Sequence, residues 1–192
     1  MAGALGQALA GNFILAEDWQ AEIDEAMSWA RPLQVIKAAT GVTRTSTTTS
    51  TDDSELTLTF PLGTSGRTYE FEMGLLLLSD ANAAGDWRGR IAWSGGDASV
   101  RWNVNALDPA LASGGGGDFT ATAANSGSLD TTTPTDDLAV GCSTTATLAR
   151  LTGYVVTSTA DVVATLQWAQ LASNANATSV LAGSRWTARR IA

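Results

Sequence analysis

The chain has 192 residues, a formal charge of −8 and no histidine. That length suits one domain with an appendage, able to bury about 70 % of its unfolded surface. Without histidine the chain lacks the commonest general base, the commonest transition-metal ligand and the usual pH switch, and its negative balance repels phosphate backbones and anionic membranes. The first expectation is therefore a protein that is no enzyme, carries no cofactor or metal, and binds neither nucleic acid nor membrane.

In chain order, the opening stretch from Met1 to Ala16 is fairly apolar, but it has no positive start and is interrupted by Gly3, Gly6, Gln7, Gly11 and Asn12. It reads as neither a signal peptide nor a membrane span, and synthesis in a cytoplasm is expected. Phe13-Ile14-Leu15 forms an apolar cluster with no obvious place in a downstream sandwich. From Ala16 to Ala30 the spacing of Trp19, Ile23, Ala26 and Met27 predicts a helix with one apolar stripe. Acidic residues crowd its first half, where the helix dipole favours them, and Pro32 stops it.

Beyond Pro32 the periodicity becomes extended. Leu33 to Ala38 reads as a first strand, and the Thr/Ser run from Thr43 to Thr51 as an exposed strand or ordered loop. Leu56, Leu58 and Phe60 alternate inward, and Tyr69, Phe71, Met73, Leu75 and Leu77 make the longest two-residue repeat. Trp87, Gly89, Ile91 and Trp93 share one strand face, with Arg88 and Arg90 on the other. Val100 to Val104 is a further strand. Gly114 to Gly117 and the polar stretch from Asn125 to Thr135 read as loop, and pattern returns in Ala146–Thr157, Asp161–Gln170 and Ser184–Ile191. The fold class is mainly β: an antiparallel β-sandwich, with a jelly roll the preferred topology, an N-terminal arm and one α-helix. Residues 1–32 form the arm and helix, and residues 33–192 the sandwich. Periodicity alone leaves an immunoglobulin-type sandwich open.

Few residues invite chemistry. Asp52-Asp53 with Glu55, and Asp136-Asp137, match no calcium loop and read as solvated loop acids. Trp87, Trp93 and Trp102 are possible sugar platforms, with core packing the favoured reading. Cys142, the one cysteine, reads as a buried inert thiol, and Arg185, Arg189 and Arg190 as a solvated sheet edge or a contact for an acidic partner.

The C-terminal run from Gly153-Tyr154-Val155-Val156 through Ala160 to Gln170 and Ala172 to Ser184, closing on Arg189-Arg190-Ile191, resembles the C-terminal sandwich domain of virion proteins from tailed phages of actinobacteria. Tyr69-Glu70-Phe71-Glu72, Gly85-Asp86-Trp87-Arg88 and Val100-Arg101-Trp102 fit earlier strands of the same pattern. Ala10 to Trp19 is similar to short starts common in phage tail and head-surface proteins. The resemblance implies a jelly roll of the tumour necrosis factor type, often trimeric, on a particle surface. The resulting expectation is a structural virion protein, a capsid decoration protein in preference to a minor tail protein. Phe13, Ile14, Leu15, Trp19 and Ile23 would dock it on the major capsid protein or other virion proteins, or pack between subunits. The rival reading is a tail or fibre module that binds carbohydrate.

Overall fold

The computed structural model describes residues 16–40, 43–62, 66–80, 86–94, 98–105 and 138–192. The chain divides into two units, Met1–Pro32 and Leu33–Ala192. In the first, helix α1 spans Ala16–Ala30, and its last turn closes with the Arg31 amide donating to the Met27 carbonyl at 2.9 Å.

The second unit is an antiparallel β-sandwich. Its strands are β1 (Leu33–Ile36), β2 (Thr43–Arg44), β3 (Thr51–Phe60), β4 (Arg67–Ser79), β5 (Trp87–Ser94), β6 (Ala98–Asn105), β7 (Leu138–Val140), β8 (Thr147–Thr157), β9 (Val162–Gln170), β10 (Thr178–Val180) and β11 (Arg185–Arg190). They form one seven-stranded and one four-stranded sheet.

The pairing is nested. β1 pairs β11, β3 pairs β9, β4 pairs β8 and β5 pairs β7. A chain first doubled into four nested strand pairs is then rolled by the contacts β11–β4 and β9–β5. That is the jelly-roll topology, and it decides between the two sandwiches that periodicity leaves open. Three strands are additions to the larger sheet: β10 runs beside the far end of β4 and carries β2 on its other side, and β6 extends the sheet beyond β8.

Alternation explains which strands form and which face is buried. Tyr69, Phe71, Met73, Leu75 and Leu77 on β4 are all buried, and so are Ala149, Leu151 and Val155 on β8. Removing each large apolar side chain from water stabilises the fold by about 1.5–3 kcal/mol. At the centre, Phe60, Phe71, Trp93 and Trp186 meet with ring centroids 5.9–6.3 Å apart, the two tryptophans nearly perpendicular at 86°. Such edge-to-face geometry suits the ring quadrupoles. Gly89 is a steric requirement, because a Cβ there would lie 2.1 Å from the Trp87 indole.

The strands expected from the sequence exist, but the short β7 and β10 fall outside that pattern and some boundaries differ. β1 ends at Ile36, two residues before Ala38, and β3 starts at Thr51 rather than at Glu55. Gly114–Gly117, Asn125–Thr135 and Asp136-Asp137 lie outside the described residues.

Candidate functional site

The residues expected to attach the chain divide into two groups. Phe13, Ile14 and Leu15 lie outside the described residues. Trp19 and Ile23 stand on α1, 48 % and 44 % exposed, and Trp29, outside the predicted stripe, is also 48 % exposed. Large apolar side chains left in water on one short helix mark a surface suited to a partner. Among the described residues no helix is long and apolar enough to cross a membrane.

A second cluster lies where β1 and β3 meet. Lys37 comes directly after β1, and its backbone is fixed on both sides: its amide donates to the Ser184 carbonyl at 2.8 Å, and its carbonyl accepts from the Gly183 amide at 2.9 Å. Across from it the β3–β9 register shifts between Asp52 and Thr57, a bulge that turns Asp53 inward. Lys37 Nζ therefore lies 2.9 Å from both Asp53 Oδ1 and Glu55 Oε2. The lysine and Asp53 side chains are only 2 % and 1 % exposed, while Glu55 keeps 33 %. The Asp53 carboxylate accepts two more bonds, from the Glu55 amide to Oδ1 at 3.2 Å and from Trp168 Nε1 to Oδ2 at 3.2 Å.

Arg44 on β2 completes this corner. Its guanidinium lies 4.1 Å from the centre of the Trp168 ring and donates to the carbonyls of Trp168, Thr51 and Asp52. The stacking adds a cation–π attraction to three backbone bonds. Outside it, Gln167 links the sheet surface, donating to Asp52 and accepting from Arg90, each at 2.8 Å.

The electrostatics derive from this geometry. Burial pushes the Lys37 ammonium down, but Asp53 and Glu55 outweigh it through hydrogen bonds and charge, leaving its pKa above the ordinary range. The hydrogen bond from Lys37 holds Glu55 below the usual carboxylate range, against some desolvation. Burial lowers Arg44, opposed by Asp53 and Asp52. None of the three is a loop acid, since Asp52, Asp53 and Glu55 all lie in β3: Asp52 is exposed as expected, Glu55 is tied to Lys37, and the register shift carries Asp53 into the sandwich.

The other sequence candidates resolve individually. Trp87 and Trp93 are buried core residues, so neither is a sugar platform. The side chain of Trp102 lies outside the described residues. Trp168 and Trp186, not singled out from the sequence, are fully buried. Cys142 is buried, and desolvation, reinforced by the Asp86 charge, pushes its thiol up to about 12, which leaves it unreactive at neutral pH. Of the arginines near the end, Arg185 lies where β11 is paired on both sides, by β1 and β4, whereas Arg189 and Arg190 lie beyond the β1 register and pair with β4 alone. Arg189 faces Glu70 at 2.7 Å, so its acidic partner lies within the chain. Arg150 makes a like pair with Glu72 on the same sheet. Around these pairs Ile36, Leu148, Tyr154, Val156 and Ile191 are exposed. Among the described residues no group of three or more acidic, cysteine or histidine side chains is arranged to hold a metal.

No protein-family model matches the chain, and no curated protein matches it. A solved structure titled "Structure of infectious bursal disease virus Gx strain" is similar at 13 % identity, over 83 % of this chain and 39 % of that one, with a TM-score of 0.20. A likeness at that level carries no argument about fold or role.

Proposed function

We propose that the chain is a structural virion protein of a bacteriophage, a capsid decoration protein whose sandwich stands on the shell and whose N-terminal unit fastens it there. The observation that carries this reading is the contrast between the two units. The sandwich encloses Trp87, Trp93, Trp168 and Trp186 in one core, whereas α1 exposes Trp19 and Ile23. Covering such a helix with neighbouring capsid subunits yields about 25 cal/mol per Å² of apolar surface, repeated for every copy bound. The partners are then the major capsid protein or other virion proteins, and the chain itself is a homo-oligomer, a trimer by its resemblance. No catalytic role is assigned. A tail or fibre module that binds carbohydrate is the weaker reading, since two of the three tryptophans considered for it are in the core.

Binding to purified particles tests the proposal. Deleting residues 1–16, or replacing Trp19 and Ile23 with Asp, should abolish co-sedimentation with capsids while the sandwich stays folded by circular dichroism. Full occupancy by the truncated and substituted chains would overturn the assignment.

A further inference from the structure

The Lys37 cluster holds two groups that can form a bond, together with what such a reaction requires. We propose that Lys37 and Asp53 condense into an isopeptide, a covalent staple between the two sheets of the sandwich. The inference is independent of where on a particle the protein sits.

The geometry supplies each part. The nucleophile is Lys37 Nζ, 2.9 Å from an oxygen of the acid it would acylate. Holding the two in contact on a fixed backbone removes the entropic cost of a bimolecular encounter. The electrophile is the Asp53 carboxyl, whose oxygens face the Glu55 amide and the Trp168 indole N–H. These two donors are placed to stabilise the charge that develops on oxygen as nitrogen adds to the carbon. The third group is Glu55, 2.9 Å from the same nitrogen and a third exposed, so it can exchange protons with solvent.

The step balances. Glu55 takes a proton from the Lys37 ammonium, and the freed amine adds to Asp53 Cγ. After addition Glu55 removes a second proton from the nitrogen; both protons pass through Glu55 to Oδ1, which leaves as water, and Oδ2 remains as the amide oxygen against Trp168. An ammonium and a carboxylate become one neutral amide and one water, with no oxidant or activating group. Because the ion pair favours the charged lysine, the reactive neutral amine is a minor species. The reaction is therefore slow after folding, and burial protects the product from hydrolysis.

The link would join the residue after β1, an edge strand of the larger sheet, to β3, an edge strand of the smaller one. Among the described residues no backbone ladder connects those sheets, so the amide would add a covalent tie between them.

Intact-mass measurement on the purified full chain tests this. The expected mass after prolonged incubation at neutral pH is one water below the sequence mass, with fragmentation placing the loss on a peptide pair joined through Lys37 and Asp53. Lys37→Arg keeps the charge, cannot condense in this way, and should show the full mass. Glu55→Gln should fold yet convert about a hundredfold more slowly or less, the usual scale of acid–base assistance. A folded wild-type chain that keeps its full mass, or a water loss mapped elsewhere, overturns the proposal. Conversion of Glu55→Gln at the wild-type rate overturns the role given to Glu55.

Discussion

The same chemistry, a basic side chain beside a carboxylate, occurs in two settings on this sandwich. On the outer face of the larger sheet, Arg150–Glu72 and Arg189–Glu70 lie in water, the arginines 56 % and 69 % exposed. At the β1–β3 corner Lys37 and Asp53 are almost entirely removed from it. Water screens the first pairs and solvates each partner if the other is lost. In the second, Lys37 keeps Glu55 if Asp53 is lost, but Asp53 loses its ion-pair partner if Lys37 is lost and has little water to replace it. Burial, more than the number of ion pairs, decides which charges fix the fold.

The largest expected effect comes from Lys37→Ala, which leaves Asp53 buried without its ion-pair partner and should cost about 3–5 kcal/mol in urea unfolding. A loss below about 1 kcal/mol, the scale of an exposed pair, would mean that the corner admits water freely and that the contrast between the two settings fails.

A smaller, pH-dependent effect is expected in the freshly folded chain. Glu55 has a lowered pKa in the fold, so its contribution is complete above the ordinary value of 4.5 and is lost as pH falls through its folded value. Lys37 has a raised pKa, so its contribution is complete below 10.5 and is lost as pH rises through its folded value. Denaturation midpoints should therefore be level across neutral pH and fall at both ends. If the isopeptide forms, Lys37 no longer titrates and the alkaline fall should disappear from aged protein.

The smallest effect belongs to the outer face, where Arg150→Ala or Arg189→Ala should cost about 0.2–1 kcal/mol, less at high salt. A loss matching that of Lys37→Ala would place these pairs in a desolvated interface between copies or with a partner.

Much of the sandwich is legible in the sequence because strand periodicity is a local property. Tyr69 to Leu77 and Trp87 to Trp93 state their buried face within a few residues. Nested pairing is a non-local property, so the jelly roll can be preferred from sequence but is decided only by partners such as Leu33 and Ala188. Asp53 escapes the sequence pattern for a related reason. A register shift between Asp52 and Thr57 breaks the two-residue rule there, and Lys37, the residue that neutralises it, lies in another strand's continuation. Trp168 has a readable signal, since it shares parity with the buried Val162, Ala164 and Leu166. Trp186 likewise alternates with Ala188. Trp19 and Ile23 are readable as one apolar stripe from their helical spacing, but their exposure is not, because it depends on what packs against the helix.

The nesting of β1 with β11 also sets a timetable for biosynthesis. The first strand made is completed by the last, so the sheet cannot close until residues 185–190 have left the ribosome. Until then the nascent chain carries an unpaired leading edge and half a core, a state prone to stick to its siblings. Chaperone demand and yield should therefore depend on how quickly the final strand is delivered, and a ribosome stalled shortly before it should hold the sandwich unfinished.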